Sequence, residues 1–521
     1  MSNILELINP GHPEYSIALN DAVSGRYLLD ERRSGMWKAR GVKQGFKEDR
    51  AVDGAGFVYY SHVVRLYTIR ISLFRPNRGT RRIAIRDVKT AFLQSDKFPP
   101  DVIKYMKMYS PLELEWEYFR QWGPVYGEYS GNVRWEDTYA PYYEAEDFVR
   151  GDNERCVFYH DGNDLLVLVY TDDNFFDGEE DSIEWGSDVL GDRFDCKALQ
   201  WIVPMKPPTD YIGMELAQTM THTSICMSTY IENCLVELEW TGLKPARVPM
   251  IGPIDADSPP LSIALSSKFH TGNGFLSWLS NTARLDITHS WNRISQHQAN
   301  PTESAFAALR QVFRYLSGTK HLQLAAPMNS ADLDLDRPVF DSASNDDQHH
   351  WEFYCDSDFA GNIEVGAKRR SQNGYLALLN GVPVYWTSKI TSVCFSNGLI
   401  GEAHADMSSA AAEIYCAGNA TMDFLHLSYV ADEMNIKFPK PFKLQMDNAA
   451  AECFANNSCF KSKLRHIDCR QEWVKILRDR EICTPVHVDT KDNLADILTK
   501  ILPVGIFERL RDRLMFNPND A

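Results

Sequence analysis

The sequence predicts an α+β protein of three or four subdomains, and three stretches carry that expectation. "CVFYHDGNDLLVLVYTDD" reads as two strands around a turn at Asp161–Gly162. Asn300 as N-cap, Pro301 at N1 and Glu303 at N3 open a helix. Phe306, Leu309, Phe313 and Leu316 form its stripe, and Gly318 ends it. From Trp351 onward, strands, a long helix, a strand and a helix make a further α/β or α+β unit of about 150 residues. A chain of 521 residues, 44% of them hydrophobic, sustains several cores.

The elements follow in order. Residues 1–30 read as a weakly structured lead-in. "GMWKARGVKQGFKEDR" suggests strand, turn and strand, and "SHVVRLYTIRISLFRP" a helix or a strand with an apolar face. "RRIAIRDVKTAFLQ" begins as a strand with Ile83 and Ile85 on one face. Residues 109–150 are rich in Trp, Tyr and Glu without clear periodicity. Residues 245–280, rich in Pro, Ser and Gly, read as a connector, and the acidic 329–350 as a linker. In the last unit Trp351, Phe353 and Cys355 alternate with Tyr354, Asp356 and Asp358. "SSAAAEIYCAGNATMDFLHLSYVADEM" is a long helix and "FKLQMD" a strand.

Net charge is −17, which alone argues against nucleic-acid binding. Its distribution is uneven. Glu31 to Ser110 holds 18 Lys or Arg against 7 Asp or Glu, a balance of +11, so the remainder carries −28. The basic segment is either a phosphate-binding surface or a face that docks on acidic parts of the same protein. Eleven Cys without CxxC or zinc-like spacing point to reduced thiols in an intracellular setting, cytosolic or nuclear. Neither a membrane-length apolar run nor a secretory signal is expected.

The acids carry the chemistry. In "LVLVYTDDNFFDG" two aspartates, Asp172 and Asp173, sit side by side at a hairpin tip, and Asp87 ends the strand "RRIAIRD". Turn chemistry explains one such Asp; carboxylates converging from separate strand ends are a divalent-cation site. Two magnesium ions about 4 Å apart would serve a phosphoryl transfer there. The last unit repeats the theme without a sequence repeat. Asp356 and Asp447 lie on strands, Glu413 inside an apolar helix stretch, and Asp496 near the start of a short helix. A Glu facing solvent is the plainer account of Glu413; four acids on four elements favour a site.

These stretches, with "MWKARGVKQGF", "RDVKTAFLQ", "CVFYH", "YIGMEL", "YCDSDFAG", "SSAAAEIY", "MDNAAA", "KSKLRHIDCRQEWV" and "DNLADILTK", run from about residue 37 to 500 in one order. In that order they resemble the reverse transcriptase and ribonuclease H region of copia-type (Ty1/copia) retrotransposon polyproteins. The resemblance implies an α+β right-hand polymerase followed by an RNase H-like α/β domain. Fingers and palm would occupy 31–245, a thumb or connection region 246–328, and a linker 329–350. An independent ribonuclease H-like domain would take 351–500, and a C-terminal tail 501–521.

The resemblance also assigns residues. Asp87, Asp172 and Asp173 match the polymerase acids, and Asp356, Glu413, Asp447 and Asp496 the ribonuclease H acids. Each set would hold two Mg²⁺ or Mn²⁺ ions. Lys38 and Arg40 fall on a basic fingers strand as candidates for the triphosphate. Phe92, five residues after Asp87, matches an aromatic that closes the sugar pocket against a 2′-hydroxyl; core packing is its plainer account. His466 stands in "KSKLRHID", with substrate contact or fold stability both open. The implied partners are a primer–template, an RNA–DNA hybrid and deoxynucleoside triphosphates.

Three departures stand beside the resemblance. Thr171 replaces a Val common in the family, and Ala411 a Glu two residues before Glu413. In "GPVYGEYSGNVRWEDTYA", Tyr126, Gly127 and Trp135 fit, but basic and Pro positions are lost and Glu128 stands where a neutral or basic residue suits nucleic acid. Two readings follow: an active polymerase with ribonuclease H, or a catalytically inactive element-derived protein that keeps nucleic-acid binding or only the fold. Capsid, protease and integrase portions are not expected, so the chain reads as a fragment, a truncated copy or a divergent relic.

Overall fold

The structure is a computed structural model that describes residues 4–31, 37–54, 56–75, 80–204, 206–255, 257–327, 350–359, 361, 370–391, 409–456 and 469–519. They fall into two units: Met1–Val64 with Arg81–Trp201, and Arg65–Thr80 with Ile202–Ala521. Among the described residues no helix is long and apolar enough to cross a membrane.

In the first unit, strands Arg82–Asp87, Asp173–Gly178, Leu165–Tyr170, Val157–His160 and Val149–Arg150 lie side by side, antiparallel throughout. Alternation divides their faces. Ala84, Phe176, Val167 and Phe158 pack with Trp135, Tyr139 and Tyr143 of helix Gly131–Ala145 and with Ile183 and Leu190 of helix Glu180–Arg193. Asp87 and Asp173 lie on the opposite face, in register with each other. That helix also orders the stretch 109–150, where the sequence offered no clear period.

A second sheet in this unit has the order Leu5–Leu7, Glu115–Gln121, Lys104–Ser110, Val23–Glu31, Trp37–Lys43. It corrects the lead-in assigned to residues 1–30, which supply two strands and helix Tyr15–Asp21. Ile4 packs with Met106 and Val125, and Ile8, Ala18 and Ala22 with Tyr105. Four apolar residues spread over 19 positions gave no periodic signal. The expected strand–turn–strand at 35–50 is one strand, Trp37–Lys43, whose antiparallel partner is Val23–Glu31. Two short 3₁₀ turns follow it.

In the second unit, "SHVVRLYTIRISLFRP" contains helix Leu66–Leu73. Its Arg70 is buried and donates to the carbonyls of Val384 and Thr282, each at 2.7 Å. The guanidinium also lies 3.9 Å from the centre of the Trp386 ring. The connector read over 245–280 is corrected by helix Ile263–Thr282, capped by the Ser262 side chain. Phe269, Gly272, Leu276 and Leu279 are buried at helical spacing within the Ser- and Gly-rich composition. A Cβ at Gly272 would stand 3.0 Å from Leu309 Cδ2, so the small residue admits the neighbouring helix. That helix is Glu303–Thr319. Its N-cap is Thr302, which accepts from the Ala305 amide, and not Asn300, so Glu303 becomes the first helical residue.

The last sheet has the order Val382–Ile390, Gln372–Leu379, Trp351–Asp358, Phe442–Met446, Cys483–His487. The first three strands are antiparallel and the last two run parallel to the central one. Residues of both parities of Trp351–Asp358 are buried, so the expected in–out alternation is lost there. Helix Ser409–Glu433 covers one face, with Phe424 against Phe353 and Phe442. The described residues of 351–500 form a five-stranded sheet with its helices, and they cluster in one compact unit with Arg65–Thr80 and the residues from Ile202 onward. The tail assigned to 501–521 contains helix Val504–Leu514, which buries Phe507, Leu510 and Leu514. The linker 329–350 lies outside the described residues except for His350.

Candidate active sites

Two groups of acids answer the sequence reading. In the first unit, Leu165–Tyr170 and Asp173–Gly178 meet in a two-residue turn, Thr171–Asp172. Thr171 has φ 57°, a left-handed backbone that a β-branched residue adopts only under constraint. The Trp135 indole donates to its carbonyl at 2.6 Å, and the Val88 amide to the Asp172 carbonyl at 2.8 Å. The turn is thereby fixed beside the end of strand Arg82–Asp87. Asp87, Asp172 and Asp173 all stand at this end of the sheet. Burial first, then the charge of Asp87, raises the Asp172 carboxyl above its ordinary value, while Lys197 and Arg40 pull it back. Lys197 Nζ lies 2.9 Å from Asp87 Oδ1.

Arg40 is exposed on strand Trp37–Lys43 and within the electrostatic reach of Asp172 and Tyr126. Lys38 lies two positions earlier, paired with Asp30 in the strand register. Phe92 is half-buried in a 3₁₀ turn, its ring 5.1 Å from that of Tyr126. Burial, then Asp172, raises the Tyr126 hydroxyl. Tyr126 is held by backbone: its carbonyl accepts from Lys43, and that of Gly127 from Gly45. Gly127 has φ 83°, and a Cβ on it would lie 2.2 Å from the Lys43 carbonyl oxygen, so only glycine allows this approach. Tyr126 fitted the sequence pattern as a match alone; its place between Phe92 and the acids needed the fold. Lys197 had no sequence signal.

The acidic stretch after residue 112 has a different meaning from the one read in the sequence. Glu128 does not face a ligand: it is buried and accepts from Lys104 Nζ at 2.5 Å, Gln121 Nε2 at 3.1 Å and Ser130 Oγ at 3.1 Å. Lys104 also meets Asp53 at 2.9 Å and Glu48 at 3.1 Å, Lys43 meets Glu48 at 2.7 Å, and Arg134 meets Asp53 at 2.8 Å. Glu136 likewise binds Arg150 and His62. Part of the basic segment is therefore consumed internally, as one of the two readings allowed. Glu113 and Glu115 remain exposed.

In the second unit, Asp356, Glu413 and Asp447 bring one carboxylate oxygen each within 4.8 Å of one another. They come from the central strand, the long helix and the residue just past Phe442–Met446. Asp496, in the 3₁₀ turn Leu494–Leu498, joins them electrostatically. Glu413 is 4% exposed; its Oε1 accepts from the Ser357 amide at 3.2 Å and its Oε2 has no hydrogen-bond partner. Burial, then Asp356, pushes Glu413 up to about 10, and burial and Asp356 push Asp496 up to about 7. Lys500 Nζ lies 2.7 Å from Asp496 Oδ1 and 3.2 Å from Asp356 Oδ2, and Thr499 Oγ1 donates to Asp356. Clustered carboxylate oxygens, one a buried acceptor lacking a donor, fit a hard divalent cation such as Mg²⁺ or Mn²⁺. Asp358 also feels Asp356, Lys500 and Arg293. Thr499 and Lys500 belong to "DNLADILTK" but drew no separate notice in the sequence. His466 lies outside the described residues.

Residues 24–252 match the family described as Reverse transcriptase (RNA-dependent DNA polymerase). Over 498 residues the chain is 23% identical to a retrovirus-related Pol polyprotein from transposon TNT 1-94 of Nicotiana tabacum, an alignment covering 93% of this chain and 34% of that protein. It is 26% identical over 494 residues to the Pol polyprotein from transposon RE1 of Arabidopsis thaliana, covering 92% of this chain and 30% of that protein. Among solved structures, a foamy viral protease–reverse transcriptase in complex with double-stranded DNA aligns with a TM-score of 0.50 at 10% identity. That alignment covers 94% of this chain and 67% of the viral one.

The fold is an α+β right-hand polymerase followed by an RNase H-like α/β fold, and its first half carries the match to the reverse transcriptase family. More narrowly, over most of its length the chain is similar to copia-type retrotransposon Pol polyproteins, and it spans about a third of the length of the curated relatives it matches.

Proposed function

We propose that this chain is an RNA-directed DNA polymerase that also hydrolyses the RNA strand of RNA–DNA hybrids, working in a reducing intracellular compartment. One observation carries the reading: a single chain holds two separate carboxylate centres, each at the end of a sheet and each underneutralised by its own cations. Divalent ions bound there would supply charge neutralisation and an activated oxygen nucleophile at phosphorus.

The residues divide the remaining work. In the polymerase centre Asp87, Asp172 and Asp173 would hold the ions. Arg40, with Lys38, would meet the triphosphate of an incoming deoxynucleotide. Phe92 and Tyr126 would form the wall under the sugar, where an aromatic ring excludes a 2′-hydroxyl by contact. Lys197, on Asp87, would yield as ions and substrate arrive. In the cleavage centre Asp356, Glu413, Asp447 and Asp496 would hold ions against the scissile phosphate of the RNA strand. The primer–template and hybrid would be held largely through phosphates, so binding should weaken as salt rises.

The inactive reading drew its support from the acidic stretch, and that support shrinks once Glu128 and Glu136 are internal counter-ions. A DNA primer on an RNA template, with both strands labelled, tests the proposal in the full chain. Wild type should lengthen the primer and shorten the RNA with Mg²⁺ or Mn²⁺ present. Asp172→Asn should cut extension by at least about a hundredfold and spare cleavage, and Glu413→Gln the reverse. Wild type that does neither on any divalent cation returns the chain to the inactive reading.

A further inference from the structure

Among the described residues the cleavage centre carries four acids against one lysine, and that lysine is held by a built frame. Lys500 follows Asp496 by four residues and spans from it to Asp356. The segment bearing it is fixed on several sides. Ser388 Oγ donates to the Leu498 carbonyl at 2.6 Å, and Asn493 Nδ2 to the Cys355 carbonyl at 3.1 Å. A Cβ at Gly374 would lie 2.6 Å from Thr499 Cγ2, so the strand Gln372–Leu379 presses directly on residue 499. With Thr499 bonded to Asp356, the ammonium stands between the two aspartates. The side chain is still 31% exposed, so it has an outward path into solvent. Meanwhile Glu413 Oε2 remains buried and without a donor beside the same aspartates.

We infer that Lys500 is a resident counter-ion that competes with divalent cations for Asp356 and Asp496, and so sets the metal concentration at which the cleavage centre fills. The inference rests on reading the four acids as a metal site. An ammonium supplies one positive charge and no coordination, whereas the cation supplies two and takes up the carboxylate oxygens directly. Both cannot occupy the same oxygens. On metal binding the lysine swings outward into solvent, along the path its partial exposure leaves open. The weaker resting affinity is the consequence of holding like charges together without metal.

The test is Mn²⁺ binding to the full chain carrying Asp172→Asn, which removes an ion-holding acid of the other centre, read by electron paramagnetic resonance of the free ion, with no nucleic acid present; this chain is the wild-type reference below. Lys500→Met should bind Mn²⁺ about tenfold more tightly than wild type, because the competing charge is gone. Lys500→Arg, which keeps the charge, should stay within about threefold of wild type. If the Met variant fails to fold, Lys500→Gln carries the same expectation as Met. Unchanged or weaker binding in the neutral variants overturns the competition and makes Lys500 a positioning residue. Glu413→Gln separates the two levels: if it binds Mn²⁺ as wild type does, the metal site itself is wrong, whatever Lys500 does.

Discussion

Two buried acid clusters in this molecule look alike in composition and behave in opposite ways. Glu48, Asp53 and Glu128 surround Lys43 and Lys104, with Arg134 behind them. Among the described residues, Asp356 and Asp496 pair with Lys500, with Glu413 and Asp447 beside them. Burial pushes Asp53 and Glu413 upward alike. At Asp53 the hydrogen bonds and charges of Arg134 and Lys104 outweigh burial, and the carboxyl ends below its ordinary value. At Glu413 nothing outweighs it, and Asp356 adds repulsion, so the group rises to about 10. A shortage of cations thus distinguishes a site from a scaffold more sharply than the acids themselves do. The group of Asp87, Asp172 and Asp173 lies between the extremes. Asp172 is raised by burial and Asp87, but Lys197 and Arg40 stand close and open to solvent.

The largest expected effect breaks the compensated cluster. Glu128→Gln strands part of the charge of Lys104 in a buried setting and should cost about 3 kcal/mol of stability. Glu413→Gln should act with the opposite sign. Removing an uncompensated buried carboxyl should stabilise the metal-depleted protein by about 2 kcal/mol near pH 8 while abolishing cleavage. Denaturant titrations in chelator measure both. Equal signs for the two variants would erase the distinction between scaffold and site.

The pH dependence sharpens the same contrast. Glu413 is raised from 4.5, so its contribution to stability is full below that value and is lost as pH rises toward about 10. Asp496, raised from 3.8 to about 7, adds a loss between those values. Asp53 is lowered from 3.8, so its contribution is present above that value and disappears as pH falls through the lower folded one. In chelator, stability should fall from about pH 5 to about pH 8, by at most about 1.4 kcal/mol per pH unit for each titrating group. Glu413→Gln should flatten this slope, and saturating Mg²⁺ should stabilise most at the alkaline end. Thermal unfolding across that range decides it.

Smaller effects probe the open centre. Arg40→Ala should raise the deoxynucleotide concentration needed for half-maximal extension about tenfold, with little change in folding. Extension against nucleotide concentration reads this directly, and an unchanged curve would return Arg40 to ordinary surface. Thr171→Gly removes the β-branch from a left-handed turn and should add up to about 1 kcal/mol of stability, visible as a raised Tm.

What the sequence made legible follows from how local each signal is. The hairpin at Thr171–Asp172 and the sheet-and-helix set after Trp351 were visible because strand runs and turn residues are neighbours in the chain. The grouping of acids was visible because each ends or interrupts an apolar element. Glu128 misled because its partners, Lys104 and Gln121, come from other strands. Helix Ile263–Thr282 was hidden because its four buried positions are diluted by Ser and Gly, which composition alone reads as a connector. The strands before residue 31 were hidden because they pair with partners far along the chain. Lys197 and Lys500 were not singled out, because a lysine near an acid in space leaves no mark in sequence.

The most direct test of the contrast is Mn²⁺ binding to the full chain without nucleic acid, in wild type, Glu413→Gln and Glu128→Gln, each carrying Asp172→Asn to silence the other centre. Wild type should bind, Glu413→Gln should bind at least about tenfold more weakly, and folded Glu128→Gln should match wild type. Equal affinity in wild type and Glu413→Gln, or an equal loss in both variants, would contradict the claim that uncompensated carboxylates mark the site.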